Sequence, residues 1–91
     1  MAKVMSDVDN AIKVLTSRMF VLRKTHNFSQ LLVAEGTNIS EGTYGRFERG
    51  ETAPSIDFFI RLSNFYDIPL KTLFDSDENF DRMLIEKHLL A

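Results

Sequence analysis

Residues 29–50 read Ser29-Gln30-Leu31-Leu32-Val33-Ala34-Glu35-Gly36-Thr37-Asn38-Ile39-Ser40-Glu41-Gly42-Thr43-Tyr44-Gly45-Arg46-Phe47-Glu48-Arg49-Gly50. Two short helical patterns lie in this stretch. Ser29 is a good helix cap, and the helix it opens runs to about Gly36 with Leu32 and Val33 turned inward. Ser40 caps the next helix, over about residues 40–49, which Tyr44 and Phe47, three apart, pin to a core. Thr37, Asn38 and Ile39 form the turn between them, and Asn38 at the pivot tolerates a left-handed backbone. Gly50 is placed to close the second helix. The pattern predicts two short helices held across a tight turn, the second with one face buried and the other presented.

Upstream, Val8, Ile12, Leu15, Met19 and Leu22 fall at steps of four and three, so they share one helical stripe. Residues 1–7 carry no such period and are expected to fray. Arg18, Arg23 and Lys24 gather toward the end of this helix, where cations suit its dipole, and Asn27 helps to stop it. Downstream, Glu51-Thr52-Ala53-Pro54 is an extended link. Ser55 then caps a helix in which Ile56, Phe59, Ile60, Ser63 and Tyr66 share a face that Phe58, Leu62 and Phe65 widen, a composition suited to the centre of the core. Pro69 suits the first turn of a short helix carrying Leu70, Leu73 and Phe74. After Asp75-Ser76-Asp77, a last helix shows Phe80, Met83, Leu84 and His88 on one stripe, with Ile85 and Leu89 beside it. No β alternation, repeat or low-complexity tract occurs. The fold class is all-α.

Ninety-one residues suit one small domain, and 44% hydrophobic content is ordinary for a globular chain. The absence of cysteine excludes disulfides, thiolate catalysis and cysteine-based zinc sites. No apolar run nears bilayer length and no basic-then-apolar leader is present, so a soluble cytoplasmic protein is expected. His26 and His88 are far apart and lack a metal-ligand partner at helical spacing, and Gly42-Thr43-Tyr44-Gly45 follows no strand, so neither a metal or cofactor site nor an enzyme is expected. Net charge is -2, unhelpful for contacts with phosphate. Its distribution is uneven: residues 1–50 hold seven basic and five acidic side chains, a balance of +2, whereas residues 51–91 hold four and eight, a balance of -4. Such a chain can still present its cations to a duplex and its acids away from it.

The quoted stretch is the pattern of a helix-turn-helix, which lays its second helix in the DNA major groove. The chain resembles the lambda-repressor/Cro-like (XRE) helix-turn-helix family in Ser29-Gln30, Val33-Ala34, Ser40, Tyr44, Glu48-Arg49-Gly50, Pro54-Ser55, and Ile68-Pro69-Leu70 through Leu73-Phe74, over roughly residues 15–75. The resemblance implies a five-helix lambda-repressor-like DNA-binding domain, about residues 8–76, with an additional C-terminal helix over 77–91. It implies that Glu41, Gly42, Thr43 and Arg46 face the groove, that Ser29, Gln30, Ser40 and Arg49 meet phosphates, and that Arg23 pairs with Glu48 as scaffold. Three features depart from the family pattern. Asn38 replaces the turn glycine, Gly36 ends or weakens its helix, and Gly42 and Gly45 lie inside the recognition helix. The two glycines either let the backbone approach the bases or mark a frayed helix.

Arg46 has the fork that matches guanine O6 and N7, and Tyr44 and Phe47 point away from it. The Thr43 methyl suits a thymine methyl. Glu41 either accepts from cytosine N4 or is simply an acid favoured at a helix start. One such module reads few base pairs, so a homodimer on a pseudo-palindromic operator is expected. Phe80, Met83, Leu84, Ile85, Leu89 and Leu90 exceed what a small core hides and would form the dimer surface, unless this helix folds back to close the monomer. With no room for a sensor domain, the chain would act by occupancy, as a repressor, a phage switch, an antitoxin or a restriction-modification controller. The competing reading is a protein-interaction module that turns the same fold toward a protein partner.

Overall fold

The computed structural model describes residues 2–89, with side chains from Val8 onward. Six helices follow one another: α1 (Ala2–Thr25), α2 (Gln30–Gly36), α3 (Glu41–Glu48), α4 (Ile56–Tyr66), α5 (Leu70–Leu73) and α6 (Asp77–Glu86). This is the all-α arrangement expected, and no helix among the described residues is long and apolar enough to cross a membrane.

Each helix opens and closes by local chemistry. Ser29, Ser40, Ser55 and Ser76 each accept a hydrogen bond from the backbone N–H three residues on. Five helices end in a left-handed residue: Asn27, Asn38, Asp67 and His88 at φ 55–61°, and Gly50 at φ 74°. In each case the N–H groups of that residue and of the next donate back to the last turn, as in Asn27 N–H to Lys24 O with Phe28 N–H to Arg23 O, and Gly50 N–H to Phe47 O with Glu51 N–H to Arg46 O. After the four non-glycine stops comes an apolar residue, Phe28, Ile39, Ile68 or Leu89, that packs on the core. Glu51 follows Gly50 and is exposed.

The core gathers Met19 and Leu22 from α1, Val33 and Ala34 from α2, and Tyr44 and Phe47 from α3. It is completed by Phe58, Phe59, Leu62 and Tyr66 of α4, Leu73 of α5, and Phe80, Met83 and Leu84 of α6. Rings meet edge-on through it, Phe47 on Phe58 at 5.0 Å and Phe58 on Phe59 at 5.8 Å. Arg61 of α4 grips the helix-turn-helix corner, its Nη1 donating to Thr37 O at 2.6 Å and Asn38 O at 3.3 Å. The carbonyls that end α2 are thereby satisfied without a turn glycine.

Several expectations are corrected. The chain is helical from Ala2 rather than from residue 8, and the first half of α1 runs past the core with Val8 and Val14 exposed. Leu32 is exposed and Ala34 takes its inward place, because so short a helix buries only the face aimed at α3. Ile56 and Ile60 are exposed, since no described element covers that side of α4. His88 stops α6 instead of extending its stripe. Arg18 does not serve the dipole of α1. It is buried, donates to Leu73 O at 2.7 Å and Asp77 Oδ1 at 2.9 Å, and lies 4.8 Å from the Phe80 ring centroid. Those bonds bring α6 back onto α1, so Phe80, Met83 and Leu84 are monomer core and not surplus surface. Ile85 remains exposed and Leu89 half-buried, while Leu90 lies outside the described residues.

α2 ends at Gly36 as expected, and the glycine there also provides space. A Cβ there would overlap the Phe65 ring at Cε1 and Cδ1, so the glycine admits that ring against the helix. Gly36→Ala is expected to destabilise the domain by about 1–3 kcal/mol through overpacking. The sign is opposite to its gain of about 1 kcal/mol in helix propensity, and urea unfolding measures it.

Candidate nucleic-acid interface

α3 divides into two faces. Tyr44 and Phe47 are buried against Phe58, and Glu41, Gly42 and Arg46 are exposed opposite them, with Thr43 half-buried. The Ser40 hydroxyl accepts from Thr43 N–H at 3.1 Å and donates to Thr43 Oγ1 at 2.8 Å. Thr43 Oγ1 also accepts from Arg46 Nη2 at 3.2 Å. Arg46 therefore lies back along the helix, passing Gly42, where a Cβ would sit at an ordinary 3.8 Å from Nη1. Glu41 is in the first turn, where its charge also suits the helix dipole.

On the flank, Ser29 is exposed and its hydroxyl caps α2. Gln30 is half-buried, and its Nε2 donates to Glu48 Oε1 at 3.3 Å. Arg49 ends α3 and its Nε pairs with Glu51, both side chains being about half exposed. This pairing raises the Arg49 pKa and lowers that of Glu51. Glu51 was not among the residues singled out from sequence, although its place two residues after Arg49 at a helix end is a signal. Arg49 pairs with Glu51, and among the charged residues named on this side the two arginines, Arg46 and Arg49, are balanced by two acids, Glu41 and Glu51. The cations of residues 1–50 are divided: Arg18 and Arg23 are spent inside the fold.

Gly45 is buried on this helix. A Cβ there would stand 3.0 Å from Arg49 Nη1 and 3.4 Å from Gln30 Oε1, so two flanking side chains cover it. α3 is neither frayed nor bare at this position.

Arg23 and Glu48 join α1 to α3 through two hydrogen bonds, Nε to Oε2 at 2.6 Å and Nη2 to Oε1 at 2.9 Å, with 11% and 5% of the side chains exposed. Arg23 Nη1 also donates to Phe28 O at 3.1 Å, in the link before α2. Burial alone would raise the Glu48 pKa, but the hydrogen bonds, that from Arg23 foremost, hold it below the ordinary carboxylate range. The hydrogen bond with Glu48 likewise raises Arg23. The Tyr44 and Tyr66 hydroxyls are buried nearby without a hydrogen bond of good geometry. Burial first, and the Glu48 carboxylate second, push both far above the usual tyrosine range. His26 stacks among Phe28 and Tyr66 at centroid distances of 5.1 and 4.8 Å. No group of His, Asp and Glu among the described residues is arranged to hold a metal.

The helix-turn-helix family model matches residues 21–73, from the second half of α1 through α5. The chain belongs to the helix-turn-helix family. Its general role is DNA-binding transcription regulation, which is not an enzyme class. A similar protein is the cryptic phage CTXphi transcriptional repressor RstR of Vibrio cholerae, 31% identical over 75 residues that span 81% of this chain and 68% of that one. The fold is also that of a transcriptional regulator from Listeria innocua, with a TM-score of 0.61 at 23% identity over 85% of this chain and 78% of that one.

Removing one partner of the Arg23–Glu48 pair strands a buried charge, so Arg23→Ala is expected to cost about 3–5 kcal/mol in denaturant unfolding. Because the folded state lowers the Glu48 pKa, the pair's contribution is complete above the unfolded-state carboxylate value and is lost as pH falls through the lower folded-state value. Stability measured against pH should therefore fall on acidification, and Glu48→Gln should remove that part of the slope.

Proposed function

We propose that this protein is a small homodimeric transcriptional regulator, a repressor in the cytoplasm, that binds double-stranded DNA sequence-specifically with α3 in the major groove. The observation that carries this reading is the two-faced α3. One side is locked in the core by Tyr44 and Phe47, and the other presents Glu41, Gly42, Thr43 and Arg46. Arg46 reads guanine through its fork, Thr43 meets a thymine methyl or steadies Arg46, and Glu41 meets a cytosine amino group. Ser29, Gln30, Ser40 and Arg49 flank this face as the phosphate contacts. The repressor role is supported by similarity to a phage transcriptional repressor.

Arg46→Ala is expected to cost about 1–3 kcal/mol at one base position and to relax specificity there. Selection of bound sequences from a random duplex pool checks this for wild type and variant, and two half-sites about one helical turn apart would report a dimer on a pseudo-palindromic operator. An identical base profile in the variant removes Arg46 from the reading.

The balance of Arg46 and Arg49 by Glu41 and Glu51 favours a second reading, a module that binds a protein partner. A mobility shift on random duplex at low salt separates the two, since DNA binding must weaken steeply as salt rises.

Pairing must use surface the monomer leaves open. Phe80, Met83 and Leu84 are occupied, so Ile85 is the exposed apolar side chain of α6, and Val8, Val14 and Phe20 of α1, Ile56 and Ile60 of α4 and Phe74 are others that a partner could cover. Light scattering is expected to give a dimer at micromolar concentration. Val8→Asp and Ile85→Asp should identify the surface, because only a substitution within it yields a folded monomer.

A further inference from the structure

Gly45 occupies a helix position where alanine would be favoured, and it carries no left-handed backbone to excuse it. What it provides is space. Helical side chains lean toward the N-terminus and cover the turn before their own, so Arg49 falls across Gly45, four residues earlier. A Cβ at Gly45 would lie 3.0 Å from Arg49 Nη1, 3.8 Å from Arg49 Cζ and 3.4 Å from Gln30 Oε1. A contact of 3.0 Å obliges the neighbour to move, and Arg49 is half exposed and free to do so.

The rest of the guanidinium is already oriented. Its Nε pairs with Glu51 and its Nη2 reaches Glu51 Oε1 at 3.4 Å, leaving the Nη1 end over the bare backbone of Gly45. Gln30 is held from the other side by Glu48, the partner of Arg23. A second observation points to the same place. At the four other left-handed helix ends the following residue is apolar and packs on the core, whereas here it is Glu51, turned outward to Arg49.

We propose that Gly45 is a positioning residue. Its missing side chain forms a seat bordered by the Arg49 guanidinium and the Gln30 amide, so that the start of α2 and the end of α3 grip one phosphodiester of the DNA backbone together. This rests on the DNA-binding reading above and assigns a role to a residue that touches no base.

The test uses the full chain on a random-sequence duplex, with affinity measured across a salt series and thermal unfolding measured in parallel. Gly45→Ala should raise the unfolding midpoint through helix propensity yet weaken binding several-fold, and should lower the salt slope by up to about 1. Arg49→Ala should lower that slope by about 1. The double variant should bind no more weakly than Arg49→Ala alone, because the seat acts only through its occupant. Wild-type affinity in Gly45→Ala overturns the inference. So does a double variant that loses the product of both single effects, which would mean that the added methyl meets DNA directly. If Arg49→Ala binds with unchanged slope, Arg49 is no phosphate contact and the seat has no role, while base selection with Arg46→Ala still decides the DNA-reading function separately.

Discussion

The Arg23–Glu48 pair sets the geometry on which the rest of this small domain depends. A guanidinium from α1 meets the last residue of α3 through two parallel hydrogen bonds, almost closed to solvent, and a third bond reaches the backbone before α2. One side chain therefore relates three helices. Buried charge is costly, and any docking of α3 that parted the two would strand both, so the pair acts mainly by disfavouring such arrangements. Gln30 extends it toward the surface by donating to the same carboxylate. The orientation of the presented face of α3 is thereby tied to the core.

Arginine does similar work elsewhere. Arg18 ties α6 to α1 through the Leu73 carbonyl, Asp77 and the Phe80 ring, and Arg61 holds the corner between α2 and α3. Each uses several of the five guanidinium donors at once, which a lysine cannot reproduce. This internal use of cations has a functional consequence. The basic excess of the first fifty residues does not reach the surface intact, and Arg46 and Arg49 are matched there by Glu41 and Glu51. In the DNA-binding reading proposed above, so little net attraction for a phosphate backbone puts the weight on the placement of a few contacts and on pairing with a second copy.

Much of the fold was legible because its signals are local. Serine caps, the Asn38 turn, Gly50 and the 3.6-residue period act over a few residues and need no knowledge of neighbours. The errors concern which apolar residues find a covering partner. Leu32, Ile56 and Ile60 satisfy the period but face sides where nothing packs, and Phe80, Met83 and Leu84 were assigned to an interface although Arg18 brings them into the core. Among the proposed contact residues, Arg46 was legible from the burial of Tyr44 and Phe47. The parts given to Glu51 and Gly45, which act through Arg49, were not legible, because they depend on where the Arg49 side chain lies.

By itself the sequence determined where α2, α3, α4 and α6 start, that the chain is all-α, and that α3 has one inward and one outward face. These follow from backbone hydrogen bonding and side-chain periodicity within single turns. Only the tertiary structure decided that α6 closes the monomer core, that the start of α1 is left uncovered, and that the glycines at 36 and 45 admit Phe65 and Arg49. The reason is physical: burial, ion pairing and close approach depend on which atoms arrive from distant parts of the chain. A residue's own neighbours in sequence carry no record of that arrival.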